Sequence, residues 1–222
     1  MKAVLFDLGG TLINTAEIFE IWRRILEAHG IKRSLDEISL AHKETEKQLN
    51  PKDYPRLSDD FYIIWNLHIL KKLGIRKNVQ LLARKISEEW WDYSDVRLYP
   101  DAEEALKQLK RMGLKTGLVT NAFQSDIDQI LPRVGLANFF DVAVGVDAVG
   151  KTKPDRESFL YALKKLGVAP QEALFVGDQI ETDYEGARKA GLKALLIDRE
   201  DKIRKRVKKI RNLKEVNAHL QN

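Results

Sequence analysis

Four short segments of the chain carry residue types that suit phosphate and metal chemistry. The first is Asp7-x-x-Gly-Thr11, and the second is the pair Thr120-Asn121. A carboxylate such as that of Asp7 can act as a nucleophile or as a metal ligand. Thr120 and Asn121 offer a hydroxyl, an amide and the backbone N–H groups that follow, which together can hold an oxyanion. Each residue alone is equally typical of a turn or a helix cap.

The other two segments supply a cation and two more carboxylates. Lys153 precedes Pro154 in a loop, where it can neutralise a phosphate or a carboxylate nucleophile, although a lone loop lysine is usually only solvated. Gly177-Asp178 is followed five residues later by Asp183. Hard carboxylate oxygens of this kind suit Mg²⁺. The four segments together are more specific than any one of them.

The elements that must position these residues are short apolar runs alternating with helical patterns. The apolar runs cover 2–6, 114–119, 142–146, 173–176 and 194–197, and helical patterns cover 101–112, 124–134, 156–166 and 182–190. This alternation predicts an α/β fold with a parallel sheet of right-handed βαβ units. Ligands of such sheets bind beyond the carboxyl ends of the strands. Asp7, Thr120, Asn121, Gly177 and Asp178 all fall at those ends.

Residues 14–97 interrupt the alternation. They predict four helices at 16–29, 35–49, 59–73 and 79–93. We therefore expect a Rossmann-like catalytic core formed by 1–13 and 98–222, with 14–97 inserted as a four-helix cap domain. A helical block placed after the first strand can cover the strand ends as a lid. Its aromatic residues are typical of the core of a helical bundle.

Composition and charge narrow the chemistry further. The chain has 222 residues and no cysteine, which excludes disulfides, thiolate metal sites and cysteine nucleophiles. The start of the chain becomes acidic too soon for a signal peptide, and no apolar run approaches the length of a membrane span, so a cytoplasmic location is expected.

The net charge of +5 is local, because segment 199–214 alone carries +7 and the remainder −2. Ile203, Val207 and Ile210 recur there at helical spacing, which predicts an amphipathic terminal helix with a solvated basic face. Nucleic acid is therefore not an expected partner.

In their order along the chain, the four segments resemble the motifs of the haloacid dehalogenase-like hydrolase superfamily. The resemblance covers essentially the whole chain. A helical cap between the first two motifs is the pattern of one large branch, and most members of that branch are Mg²⁺-dependent phosphatases of small phosphorylated metabolites. The resemblance implies a three-layer Rossmann-like core and hydrolysis through an aspartyl-phosphate.

The resemblance also implies a role for each motif residue. Asp7 would be the nucleophile. Mg²⁺ would be held by Asp7, the backbone carbonyl of Gly9 and Asp178. Thr11, Thr120, Asn121 and Lys153 would bind the phosphorylated substrate, and the last three would also take part in catalysis. Asp183 would orient Lys153 or the waters of the metal from the second shell.

One position departs from the pattern. Phosphatases of the family normally carry a second aspartate two residues after the nucleophile, as general acid and base, and here that residue is Gly9. Glycine transfers no proton, so low activity is expected. The loss of activity should be smallest for substrates with good leaving groups.

The alternatives are a nearly inactive phosphate-binding member of the family, and haloacid or phosphonate cleavage. Phosphonate cleavage would use a cap lysine, for which Lys43, Lys47 and Lys52 are candidates. The substrate and the oligomeric state stay open.

Overall fold

The computed structural model describes residues 1–49 and 60–220. The chain forms two compact units, one made of 1–14 and 97–222 and the other of 15–96. We call the first the core unit and the second the helical unit. That the helical unit acts as a cap stays a prediction.

The core unit is built on a six-stranded parallel sheet and a small antiparallel ribbon. Its strands are β1 (Ala3–Phe6), β2 (Ile13–Asn14), β3 (Arg97–Leu98), β4 (Lys115–Val119), β5 (Val142–Val144), β6 (Ala173–Gly177), β7 (Lys193–Ile197) and β8 (Lys209–Ile210). The order across the large sheet is β5-β4-β1-β6-β7-β8, and every neighbouring pair is parallel. The predicted α/β fold is thereby confirmed.

The central strand β1 is buried along its whole length. Strands covered on both faces read as continuous apolar runs, which is why sequence pattern located them. Strand β1 lies between β4 and β6. The carboxyl ends of these three strands therefore lie side by side.

Helices of the core unit separate the strands along the chain. They are α5 (Ala102–Arg111), α6 (Gln124–Arg133), α7 (Arg156–Leu166) and the short α8 (Gly186–Lys189). Phe159 of α7 packs edge-on against Phe175 of β6, with ring centroids 4.9 Å apart. Both rings are buried, and they belong to one apolar core cluster of the core unit.

The predicted amphipathic helix at the basic end of the chain is wrong. Residues 199–208 are irregular, and Lys209 and Ile210 form β8 against β7. Asp198 fixes the turn, because its carboxylate accepts hydrogen bonds from the backbone N–H groups of Lys202 and Ile203. The apolar residues at helical spacing instead pack against the sheet, and β8 pairs with part of an edge that a helix would have left open.

The helical unit contains α1 (Ile18–Ala28), α2 (Leu35–Gln48), α3 (Asp60–Lys72) and α4 (Val79–Tyr93). Its apolar core includes Trp22, as expected for the aromatic residues of this unit. Helix α2 begins with a capping box, in which Ser34 and Glu37 satisfy each other's backbone N–H groups. The predicted start of the third helix at Asp59 lies outside the described residues.

Among residues 1–49 and 60–220, no helix is both long enough and apolar enough to cross a membrane. The cytoplasmic location stays a prediction.

Candidate active site

The sheet brings together the polar residues that follow three neighbouring strands. Asp7 follows β1, Thr120 and Asn121 follow β4, and Asp178 follows β6. Asp7 and Thr120 are buried. All four residues were predicted to lie at strand ends, and the strand order makes these ends adjacent.

Lys153 links two carboxylates at this edge. Its ammonium Nζ lies 2.6 Å from Asp7 Oδ1 and 2.6 Å from Asp183 Oδ1. The side chains of Lys153 and Asp183 are 2% and 1% exposed, so both ion pairs lie away from water. A charge buried to this extent is tolerated only when it is paired and hydrogen-bonded. The alternative that Lys153 is a solvated loop lysine is therefore wrong.

Burial sets the protonation behaviour of these groups. Burial raises the pKa of Asp7 to about 7, although Lys153 acts in the opposite direction. Burial by itself lowers the pKa of Lys153, but the carboxylates of Asp7 and Asp183 outweigh it and the net shift is upward. Lys153 is therefore a fixed positive charge next to Asp7.

Asp183 is held in place by an unusual helical turn. The predicted helix at 182–190 is a π-helical segment over Ile180–Glu185 that continues into α8. At its start, the backbone N–H of Gln179 donates to Asp183 Oδ2 at 3.0 Å. A side chain on Gly177 would clash with Asp183, so glycine at this strand end permits the approach. Both carboxylate oxygens of Asp183 are thus engaged, one by Gln179 and one by Lys153.

Asp178 completes a group of three carboxylates. One oxygen from each of Asp7, Asp178 and Asp183 lies within 4.8 Å of the others. Burial raises the pKa of Asp178 as well. Together with the Lys153 cation, three ionised carboxylates leave a net charge of −2. Hard oxygen donors with this excess charge fit a divalent cation such as Mg²⁺.

Two neighbouring residues shape the surroundings of Asp178. Gly10 has φ +72°, and a side chain there would collide with the Asp178 carboxylate. The amide Nε2 of Gln179 donates to Asp178 Oδ2 at 2.8 Å. Gln179 was not among the predicted site residues, and its position directly after Asp178 is the only signal in the sequence.

Asn121 holds the backbone of Lys153. Its Oδ1 accepts a hydrogen bond from the Lys153 N–H at 2.7 Å, and its Nδ2 donates to the Lys153 carbonyl at 3.3 Å. Thr120 Oγ1 accepts from the backbone N–H of Ala122 at 3.3 Å. The side chain of Asn121 therefore reaches the lysine loop, a contact that the motif alone does not reveal.

Thr11 is fully buried, and no hydrogen bond from the described residues reaches its hydroxyl. Its carbonyl accepts a hydrogen bond from Arg199 at 2.7 Å. Arg199 also forms an ion pair with Asp101 at 2.9 Å and stacks over Tyr99. This cluster was not predicted from the sequence, and it ties the loop after β1 to the far end of the chain.

The remaining candidates are exposed or lie outside the described residues. Gly9, two residues after Asp7, is exposed, and a side chain added at this position would have no atom within 4 Å of its first carbon. Lys43 and Lys47 are exposed residues of α2 in the helical unit. Lys52 lies outside the described residues.

Comparison with known proteins confirms the family that the motifs resemble. The family model of haloacid dehalogenase-like hydrolases matches residues 1–191. A glyceraldehyde 3-phosphate phosphatase of Methanopyrus kandleri is 31% identical over 207 residues, covering 90% of this chain and 84% of that protein. The chain therefore belongs to the haloacid dehalogenase-like hydrolase family and is a hydrolase.

Solved structures agree on the fold. A phosphatase of this family from Thermococcus onnurineus is 28% identical with a TM-score of 0.67, covering 100% of this chain and 98% of that one. A 2-haloacid dehalogenase from Pseudomonas syringae is 25% identical with a TM-score of 0.78, covering 99% and 98%. Because both reactions occur on this fold, the reaction has to be argued from the site.

Proposed function

We propose that the protein is a metal-dependent phosphatase of small phosphorylated metabolites that acts through an aspartyl-phosphate on Asp7. The observation that carries the proposal is the Lys153 ammonium, 2.6 Å from Asp7, together with the cluster of three carboxylates. A phosphomonoester is a dianion, so it repels a carboxylate nucleophile unless positive charge lies between them. Lys153 and a divalent cation would supply that charge.

Asp7 is the nucleophile in this proposal. Lys153 holds Oδ1, and no hydrogen bond from the described residues reaches Oδ2. A carboxylate oxygen forms a bond to phosphorus while the bond to the leaving oxygen breaks and its electron pair leaves with that oxygen. Water then hydrolyses the acyl-phosphate, which releases inorganic phosphate and restores the Asp7 carboxylate.

The other site residues bind and orient. Asp7, Asp178 and the backbone carbonyl of Gly9 would hold Mg²⁺, which supplies Lewis-acid stabilisation of charge on the phosphoryl oxygens when bound. Thr120 and the backbone around Asn121 would hold phosphoryl oxygens. The Asn121 amide would also fix the loop that carries Lys153, and Asp183 would fix the ammonium itself.

Thr11 fits a direct substrate contact less well, because it is fully buried. We propose that it supports the loop that carries Asp7, through its backbone contact with Arg199.

The glycine at position 9 limits the substrates that the site would process quickly. Among the described residues of the core unit, Lys153, Asp7 and Asp183 are already engaged with one another, and Asp178 is a proposed metal ligand. None of these four is left to protonate a leaving group. We therefore propose preferential hydrolysis of phosphates whose leaving groups depart as stable anions, such as acyl and aryl phosphates.

A nearly inactive phosphate-binding protein is the second candidate, and Gly9 is the observation that favours it. Haloacid cleavage fits less well, because a reaction that needs no metal gives no role to Asp178, the third carboxylate of the cluster. Phosphonate cleavage would need one of the cap lysines as a Schiff base, and the described residues offer no argument for it.

Phosphate release from a panel of alkyl, aryl and acyl phosphates tests the proposal, with Mg²⁺ and with EDTA. We expect the wild type to release phosphate with Mg²⁺ but not with EDTA. We expect Asp7→Asn to release none under either condition. Binding of phosphate and Mg²⁺ without release from any substrate would establish the second candidate instead. Release that EDTA leaves unchanged would contradict the role of the metal.

A further inference from the structure

A groove of about 610 Å³ lies on the core unit where β7 meets the basic end of the chain. Its volume falls within the range of small-molecule sites. It is lined by residues of β7, of α8 and of the irregular segment before β8. The β7 residues that line it come from the amino-terminal half of that strand, whereas Asp7 and Asp178 follow the carboxyl ends of theirs. The groove is therefore a separate place from the candidate active site.

Positive charge dominates the polar lining of this groove. Arg188, Lys193, Arg206 and Lys208 line it together with His219, and none of the described lining residues is acidic. No carboxylate in the described part of the chain forms an ion pair with Arg188, Arg206 or Lys208. Concave surfaces lined by one sign of charge concentrate ions of the opposite sign.

The neighbouring cations of the same segment behave differently. Lys205 pairs with Glu185, and Lys209 pairs with both Asp198 and Asp201. These paired lysines do not line the groove. Acidic partners are thus available nearby, yet within residues 1–49 and 60–220 they are paired with cations outside the groove and not with Arg188, Arg206 or Lys208.

The backbone of β7 adds a donor to the groove. On the side of β8, the N–H of Leu196 donates to the Lys208 carbonyl at 3.0 Å, and β8 pairs with Leu196 and Ile197. Backbone groups two residues apart in a strand point to the same side. The N–H of Ala194 therefore points to the same side as that of Leu196, beyond the reach of the β8 pairing.

Apolar side chains form much of the remaining lining. Leu192 and Leu195 are buried, and Val207 is partly buried against the core. Cations beside an apolar floor favour a ligand with an anionic group on an apolar body, because each part then finds a matching surface.

We infer that this groove is a second binding site, for a small organic anion that carries a phosphate or carboxylate group on an apolar body. Arg206 and Lys208 would pair with the anionic group, Arg188 would neutralise it further, and the leucines would cover the apolar part. The inference does not depend on the proposed phosphatase reaction, because it rests on residues outside that site.

Calorimetric titration with two probes tests the inference, in EDTA and at low salt. Phenylphosphonate has a phosphorus anion that hydrolysis does not release, benzoate has a carboxylate, and neutral benzamide is the control. We expect at least one anion to bind more tightly than benzamide. The variant Arg206→Gln/Lys208→Gln should weaken that binding at least about tenfold, because it removes two charge-assisted hydrogen bonds.

The matched control is Lys202→Gln/Arg204→Gln, which removes the same charge from the same segment but does not touch the groove lining. It should change the affinity less than about twofold. An equal loss in both variants would overturn the inference, since it would indicate only the general attraction of a basic surface for anions. Binding no tighter than that of benzamide would overturn it too.

Hydrogen exchange of the backbone at Lys193, Ala194 and Leu195 locates the bound probe. Slower exchange at these residues in the presence of the tighter probe would support the groove. Anion binding that leaves this exchange unchanged, and that the Arg206/Lys208 variant retains, would assign the probe to the candidate active site and overturn the inference.

Discussion

The side-chain amide of Asn121 and the backbone of Lys153 form a paired contact, with 2.7 Å from the Lys153 N–H to Asn121 Oδ1 and 3.3 Å from Asn121 Nδ2 to the Lys153 carbonyl. The contact joins the end of β4 to the loop whose lysine pairs with Asp7. Asn121 is thus placed to set the position of the Lys153 ammonium.

Replacement of Asn121 by alanine tests this positioning role. We expect Asn121→Ala to lower kcat by roughly 10- to 100-fold, because a small displacement of a catalytic group is costly. Asn121→Asp keeps the acceptor and should lose less. The loss in kcat is measured by phosphate release. A double-mutant cycle with Lys153→Met then measures the affinity for inorganic phosphate and shows whether Asn121 acts through Lys153. An unchanged effect of Asn121→Ala in the Lys153→Met background would show that the amide acts on phosphate directly.

Lys153 should matter for stability as well as for activity. Lys153→Met leaves two buried carboxylates without their shared cation, so we expect a loss of about 3–5 kcal/mol in the free energy of unfolding, measured by guanidinium denaturation in EDTA at pH 8. Adding Asp183→Asn should restore part of it. The matched control is Lys107→Met, which removes an exposed pair with Glu103 and should cost under about 1 kcal/mol. Equal losses in the two single variants would contradict the role of burial.

Gly9 offers a test of the missing proton donor. Gly9→Asp fits the backbone, since no atom lies within 4 Å of the added first carbon and φ is not in the left-handed region. We expect it to raise kcat/KM for alkyl phosphates by roughly 10²- to 10⁴-fold and to change aryl phosphates much less. Gly9→Asn, which has nearly the same size but transfers no proton, should leave both unchanged. Fast hydrolysis of alkyl phosphates by the wild type would mean that another group supplies the proton.

The burial of His42 predicts that the stability of the helical unit depends on pH. Burial between Phe19 and Trp22 lowers the pKa of His42 from 6.5 to about 4. The unfolded chain therefore binds a proton at higher pH than the folded chain. The contribution of neutral His42 to the free energy of unfolding is fully present above pH 6.5. It falls by about 3 kcal/mol as the pH falls towards 4.

The measurement is the free energy of unfolding of wild type and His42→Gln at pH 7.5 and pH 4.5. Carboxylates titrate equally in both proteins, so the difference isolates His42. We expect the wild type to lose more stability than the variant between the two pH values. Parallel losses would indicate that His42 is protonated in the folded protein.

Much of the fold followed from the sequence because the strands are buried on both faces. Their short apolar runs indicated where the strands lie, and the glycines at the helix ends indicated where the chain turns. The prediction for the basic end of the chain failed, because tertiary contacts and not local pattern decide the structure there. The spacing of Ile203, Val207 and Ile210 fits a helix, but the open edge of β7 and the turn fixed by Asp198 are tertiary features that periodicity does not contain.

The motifs indicated which residues form the candidate site, and the resemblance implied that Asp183 orients Lys153, but the geometry of the contacts was not predictable. Motif order placed Asp7, Lys153, Asp178 and Asp183, and strand order explains why the carboxylates meet. That Lys153 bridges Asp7 and Asp183 depends on a π-helical turn, whose hydrogen bonds leave no pattern in the sequence. Arg199 lies 188 residues from Thr11 along the chain, so no local signal connects the two.

Trapping the phosphorylated enzyme tests the nucleophile most directly. Wild-type protein with Mg²⁺ is mixed with an acyl phosphate, quenched in acid within one turnover, digested and analysed by mass spectrometry. The account predicts that the peptide containing Asp7 gains the mass of one HPO₃ group and that the modification is absent in Asp7→Asn. Phosphate release by the wild type without this modified peptide, or with a modification on another residue, would contradict it.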